Sequence, residues 1–221
     1  MTDSENVPIP GGRDVRATLD HGAIESDGDG DSESPPNACV VACPPHPQHG
    51  GHRGDQRLEA VSTVVADFGV DCLRFDYGEW DEGYGELADT DNALAWAFDR
   101  YADIGLFGYS FGGCLALVAA ADREDLSGVA ALAPAPRLNP DIDAVAALDD
   151  IECPIRIVHG TRDTTTDWES LVERAREIQA NRPPETITLT EVAADHFFIG
   201  QVERVGETIG EWFLDRFRSE R

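Results

Sequence analysis

Short apolar runs of strand length alternate with helical stretches from residue 38 to the C-terminal end, and this alternation constrains the fold more than any other feature. Residues 38–42 form a continuous apolar run, as in a strand covered on both faces. Leu58, Val61, Val65 and Phe68 then recur at helical spacing. Residues 70–75 read as the next strand, and 87–101 as a helix with Leu94, Ala97, Phe98 and Tyr101 on one side. A strand at 104–107 leads into an Ala-rich helix at 111–121. Three further strands fall at 129–133, 155–158 and 186–189, with helices near 167–179 and 201–217. The order predicts an α/β fold: a mainly parallel, doubly wound sheet with helices on both faces. Ahead of it the first 23 residues read as an extended lead, in which Val15, Ala17 and Leu19 alternate as in an exposed antiparallel strand.

The 221 residues suit one domain spanning 1–221, with an acidic loop at 24–37 and a short cap-region segment at 134–154. No apolar run reaches the roughly 18 residues of a membrane span. The start of the chain is acidic, with neither a basic nor an apolar stretch, so a cytoplasmic location is expected. Asp and Glu number 43 against 17 basic residues, all of them Arg, for a net charge of −26. Such self-repulsion weakens a compact state in dilute buffer and is screened by molar salt. This Lys-free, acidic profile resembles cytoplasmic proteins of extreme halophiles. It also argues against nucleic acid as a partner, which would require a basic stripe. Asp27, Asp29 and Asp31 imitate the start of a calcium loop, but Ser32 and Ala38 stand where Gly and Glu are needed, so no metal or other cofactor is expected. The five cysteines, Cys39, Cys43, Cys72, Cys114 and Cys153, have no metal-type spacing and read as reduced core residues.

The chemistry concentrates in three places, each after a predicted strand. Gly108-Tyr109-Ser110-Phe111-Gly112 joins a strand to a helix. There a serine held on a tight turn needs small residues two positions to either side, as in the nucleophile elbow of α/β hydrolases. Serine is a poor nucleophile without a base and an acid to orient that base. Asp163 follows the strand at 155–158, with Asp167 as the fallback. His196, in Ala194-Asp195-His196-Phe197-Phe198, follows the strand at 186–189. The order Ser110, Asp163, His196 is the one this fold requires. His46, His49 and His52 crowd a Pro-rich turn after the strand at 38–42 without ligand spacing. That turn is expected to complete an oxyanion hole through the N–H of Gln48 (or of His49), paired with that of Phe111. His49, Tyr109 and Phe197 are expected to line the substrate pocket.

His46-Pro47-Gln48-His49-Gly50-Gly51, Gly83-Tyr84-Gly85-Glu86 with Asp89 and Trp96, and Asp195-His196-Phe197-Phe198 together resemble small α/β hydrolases of the dienelactone-hydrolase group. The resemblance runs from about residue 7 to 217. It implies an α/β-hydrolase fold and hydrolysis of a small-molecule ester or thioester. Dienelactone hydrolases proper use a cysteine nucleophile, so Ser110 aligns the chain with their serine-bearing relatives and lactone specificity is not implied. The short 134–154 segment predicts a minimal lid or none. Two other outcomes of the same residues are an acyltransferase and a non-catalytic binding protein that keeps the elbow as architecture. Oligomeric state is not legible.

Overall fold

The computed structural model describes residues 3–23 and 37–219. The acidic stretch 24–36, with Asp27, Asp29 and Asp31, lies outside the described residues. Eight strands form one sheet in the order β1-β2-β4-β3-β5-β6-β7-β8. They are β1 (Ser4–Ile9), β2 (Val15–Asp20), β3 (Ala38–Cys43), β4 (Asp71–Asp76), β5 (Asp103–Tyr109), β6 (Gly128–Leu132), β7 (Ile155–Gly160) and β8 (Ile187–Val192). From β4 to β8 all neighbours are parallel, and β1 and β2 add an antiparallel edge.

The helices are α1 (Gln56–Asp67), α2 (Tyr84–Phe98), α3 (Phe111–Ala121), α4 (Ala144–Ala147), α5 (Glu169–Asn181) and α6 (Val202–Ser219). Alternating strand residues divide the core in two. Cys39, Val41 and Cys43 face α2 to α5, while Val40, Ala42 and Phe107 face α1 and α6. All five cysteines are buried and unpaired.

Three local expectations are corrected. The extended lead is a hairpin rather than a single exposed strand. Val15, Ala17 and Leu19 are buried against the sheet, and β1 takes the exposed edge. Phe68 does not join the buried face of α1. The helix ends at Asp67, and Phe68 caps it 55% exposed, with the Arg218 guanidinium 5.9 Å from its ring. Helix α2 begins at Tyr84, ahead of the expected 87, because the buried Glu86 carboxylate accepts from the N–H groups of Gly83 (2.8 Å) and Asp81 (3.0 Å).

Strand β3 is paired with β4 on one side and β5 on the other, so chain direction across the sheet reverses there. In an open α/β sheet such a switch point opens a crevice at the carboxyl ends of the strands. The connection from β6 to β7 carries α4 as its one helix, so no lid domain stands over that crevice among the described residues.

Candidate active site

The elbow sits on the switch point. Ser110 directly follows β5 as the N-cap of α3, with φ 57° and ψ −112°, a conformation rare for a residue with a Cβ. It is held there by its own N–H to Leu132 O (2.9 Å), while its carbonyl accepts from Cys114 N (3.1 Å) and Ala135 N (3.1 Å). The flanking glycines are required sterically. A Cβ on Gly108 would lie 2.1 Å from Gly112 O, and one on Gly112 would lie 2.4 Å from Cys43 O and Pro44 O. The same close approach brings the exit of β3 against the start of α3.

Asp163 and His196 converge on this serine. His196 Nε2 is 3.0 Å from Ser110 Oγ, and His196 Nδ1 is 2.7 Å from Asp163 Oδ2. Both partners are buried, at 4% and 7% exposure, which strengthens the pair against competition from water. Asp163 is gripped by its own loop. Its Oδ1 accepts from Thr165 N (2.8 Å) and Thr166 N (3.3 Å), its Oδ2 from Thr166 Oγ1 (3.1 Å), and its carbonyl from Trp168 Nε1 (3.2 Å). His159 supports this turn by stacking on Trp168 at 4.5 Å. Burial pushes its imidazole below the usual range, against the opposing pull of Glu191. Arg162 ties the acid loop to the base loop, its side chain donating to Ala193 O (2.8 Å) and its backbone to Ala194 O (3.0 Å). Asp167, the fallback acid, is exposed.

The oxyanion expectation changes. The N–H of Gln48 donates to His46 Nδ1 (3.2 Å) and that of His49 to His46 O (3.0 Å), so both are spent inside the turn Pro47–His49. Gly50 and Gly51 are spent in the same way, and Pro44, Pro45 and Pro47 have no N–H. In this turn the backbone donor without a partner among the described residues is that of His46, whose ring lies 4.8 Å from that of Phe111. The N–H of Phe111, in the first turn of α3, has no partner among them either.

The pocket expectation also changes in part. Tyr109 is no wall: strand alternation turns it into the core, where its hydroxyl donates to His196 O (3.1 Å) and Arg57 lies 4.4 Å above its ring. Phe197 does stand at the rim, half exposed and edge-on to His196 at 5.4 Å. His49 is exposed and stacked on His46. Trp80, which sequence reasoning missed, packs on His46 at 4.7 Å. Thr165 and Thr166 were missed as well, although hydroxyl residues directly after an acid are a readable sign of a carboxylate-binding turn.

A cysteine cannot replace Ser110 from nearby. Cys43 and Cys114 are buried, which pushes their thiols up to about 12, so neither supplies a thiolate at neutral pH. Among the described residues no cluster of three or more His, Cys, Asp or Glu could hold a metal ion. None of their helices is long and apolar enough to cross a membrane.

The sequence profile of the dienelactone hydrolase family matches residues 83–208, more than half of the chain and all three of Ser110, Asp163 and His196. The chain belongs to the dienelactone hydrolase family. It is an α/β-hydrolase enzyme. Its neighbours in structure have diverged widely from it in sequence. An α/β serine hydrolase homologue from Coxiella burnetii is 24% identical with a TM-score of 0.77, over 96% of this chain and 97% of that one. A serine hydrolase without a lid from Xanthomonas campestris is 19% identical with a TM-score of 0.73, over 96% of both chains. A dienelactone hydrolase from Anabaena variabilis is 20% identical with a TM-score of 0.73, over 97% of this chain and 98% of that one. No curated protein matches the chain by sequence.

Proposed function

We propose that the enzyme is a serine hydrolase that cleaves small carboxylic esters or thioesters through an acyl-enzyme on Ser110. The supporting observation is the buried relay in which His196 bridges Ser110 Oγ and the Asp163 carboxylate. In this reading His196 takes the serine proton as Oγ attacks the carbonyl carbon. Asp163 fixes the imidazole tautomer and stabilises the imidazolium that forms. The N–H groups of His46 and Phe111 donate to the oxyanion, each contributing about 3 kcal/mol by analogy with measured donors. His196 then protonates the leaving group, and water attacks the acyl-enzyme by the same route in reverse.

The uncapped crevice suits small soluble substrates, and the net charge of −26 disfavours anionic ones at low salt. An acidic, Lys-free surface fits a cytoplasm rich in salt, where the screening length falls to about 3 Å at 1 M. The test is labelling by a fluorophosphonate probe in molar KCl. Wild-type protein should label and Ser110→Ala should not; equal labelling of the two overturns the reading.

A further inference from the structure

Beside the nucleophile stands a ring stack that the acid–base relay does not use. The His46 ring lies between His49 (4.4 Å, 22° between planes) and Trp80 (4.7 Å, 29°). The stack is anchored on the elbow, since His46 and Trp80 lie 4.8 Å and 5.8 Å from Phe111, the residue after Ser110. Trp80 comes from the loop between β4 and α2. It is only partly buried, and its indole N–H makes no hydrogen bond among the described residues. Burial and the neighbouring His49 push the His46 imidazole below its usual range, against the opposing pull of Glu86.

The chemistry of the relay fixes which part of a substrate meets these rings. His196 must reach both Ser110 Oγ and the leaving-group oxygen or sulfur, so the leaving group lies on the side of His196 and Phe197. The acyl group then extends to the opposite side, along the residues whose N–H groups flank the carbonyl, His46 and Phe111. These are the residues that carry the stack. We infer that Trp80, with His46 and His49 stacked beside it, is a platform for a planar aromatic ring on the acyl part of the substrate. The inference rests on the hydrolase reading above. Ring stacking favours an aryl over a saturated ring of equal size by roughly three- to tenfold.

Sulfonyl fluorides test this without a known substrate, because the group left on the serine occupies the acyl side. Ser110 Oγ attacks sulfur, an S–O bond replaces the S–F bond, fluoride departs, and the serine proton passes to His196. Second-order inactivation rates are compared for phenylmethanesulfonyl and cyclohexylmethanesulfonyl fluoride in molar KCl, each corrected for the intrinsic reactivity of the reagent. The phenyl reagent should be faster on wild type by roughly three- to tenfold. That ratio should fall to about one in Trp80→Leu and persist in Trp80→Phe. Melting curves verify that each variant is folded; if Trp80→Leu is not, His49→Ala should lower the ratio instead. Equal rates on wild type, or a ratio unchanged in the folded variant, overturn the platform and leave the hydrolase reading standing. Failure of both reagents to modify Ser110 overturns the two together.

Discussion

Asp20 and Asp163 are both buried carboxylates at strand ends, and the difference between them separates stability from chemistry. Asp20 accepts from Arg74 Nε (2.6 Å) and Nη2 (3.1 Å), from Ser62 Oγ (2.6 Å) and from Ser4 Oγ (2.7 Å). Asp163 accepts an equally full set, but its ring partner is the imidazole of His196. A guanidinium is always charged, so the Asp20 cluster is a fixed ion pair that joins β2, β4 and α1. An imidazole gains its charge only when it takes a proton. The same acceptor geometry that stabilises the first cluster at rest can therefore stabilise the second one most in mid-reaction.

The sharpest way to break the comparison is to exchange each carboxylate for an amide. Asp163→Asn should lower kcat by about 10⁴, as the wrong tautomer of His196 is favoured, with little change in melting temperature. Asp20→Asn should do the opposite. Among the described residues Arg74 then keeps only the half-exposed Glu59 carboxylate at 3.5 Å, so the loss costs up to about 3–5 kcal/mol, or roughly 6–20 °C in melting temperature, while kcat below the transition stays near wild type. Parallel steady-state kinetics and thermal melts check both.

Acid should next distinguish the fixed pair. Burial alone would raise the Asp20 carboxyl, but the Arg74, Ser62 and Ser4 hydrogen bonds outweigh it and hold the pKa below 3.8. A lowered folded-state pKa means that the contribution is complete above that ordinary value and is lost as pH falls through the lower one. Denaturant midpoints should therefore drop more steeply below about pH 4 in wild type than in Asp20→Asn.

The smallest effect concerns the third donor to the convertible pair. Thr166→Val removes the hydroxyl from Asp163 Oδ2 and should lower kcat by roughly three- to tenfold with KM unchanged. Thr166→Ser should restore it, which a mere packing defect would not allow.

The convergence of Ser110, Asp163 and His196 was legible because each follows a strand whose apolar run is unmistakable. The sheet's parallel body was legible for the same reason. The sequence did not reveal β1, since Glu5, Pro8 and Pro10 dilute the alternation on an edge that water already covers. Tyr109 was misplaced because adjacency to Ser110 in sequence says nothing about which face of β5 it occupies. That the Gln48 N–H is spent inside its own turn was illegible for a different reason. Which N–H stays unspent depends on the His46 side chain folding back onto Gln48, a contact with no periodic trace. Trp80 sits in a loop with no pattern to read, and its contacts with His46 and Phe111 appear only when three separate segments meet.

Ser110, Ala133 and Phe198 all hold positive φ, at 57°, 41° and 53°, and all three border the site. Glycine would relax each of them, as it would Asp14 (50°) and Glu82 (54°) in other loops. At the first three, that gain in robustness would fall on the elbow and on the loop that carries His196, so a sturdier backbone there trades against the geometry that brings Ser110 and His196 together.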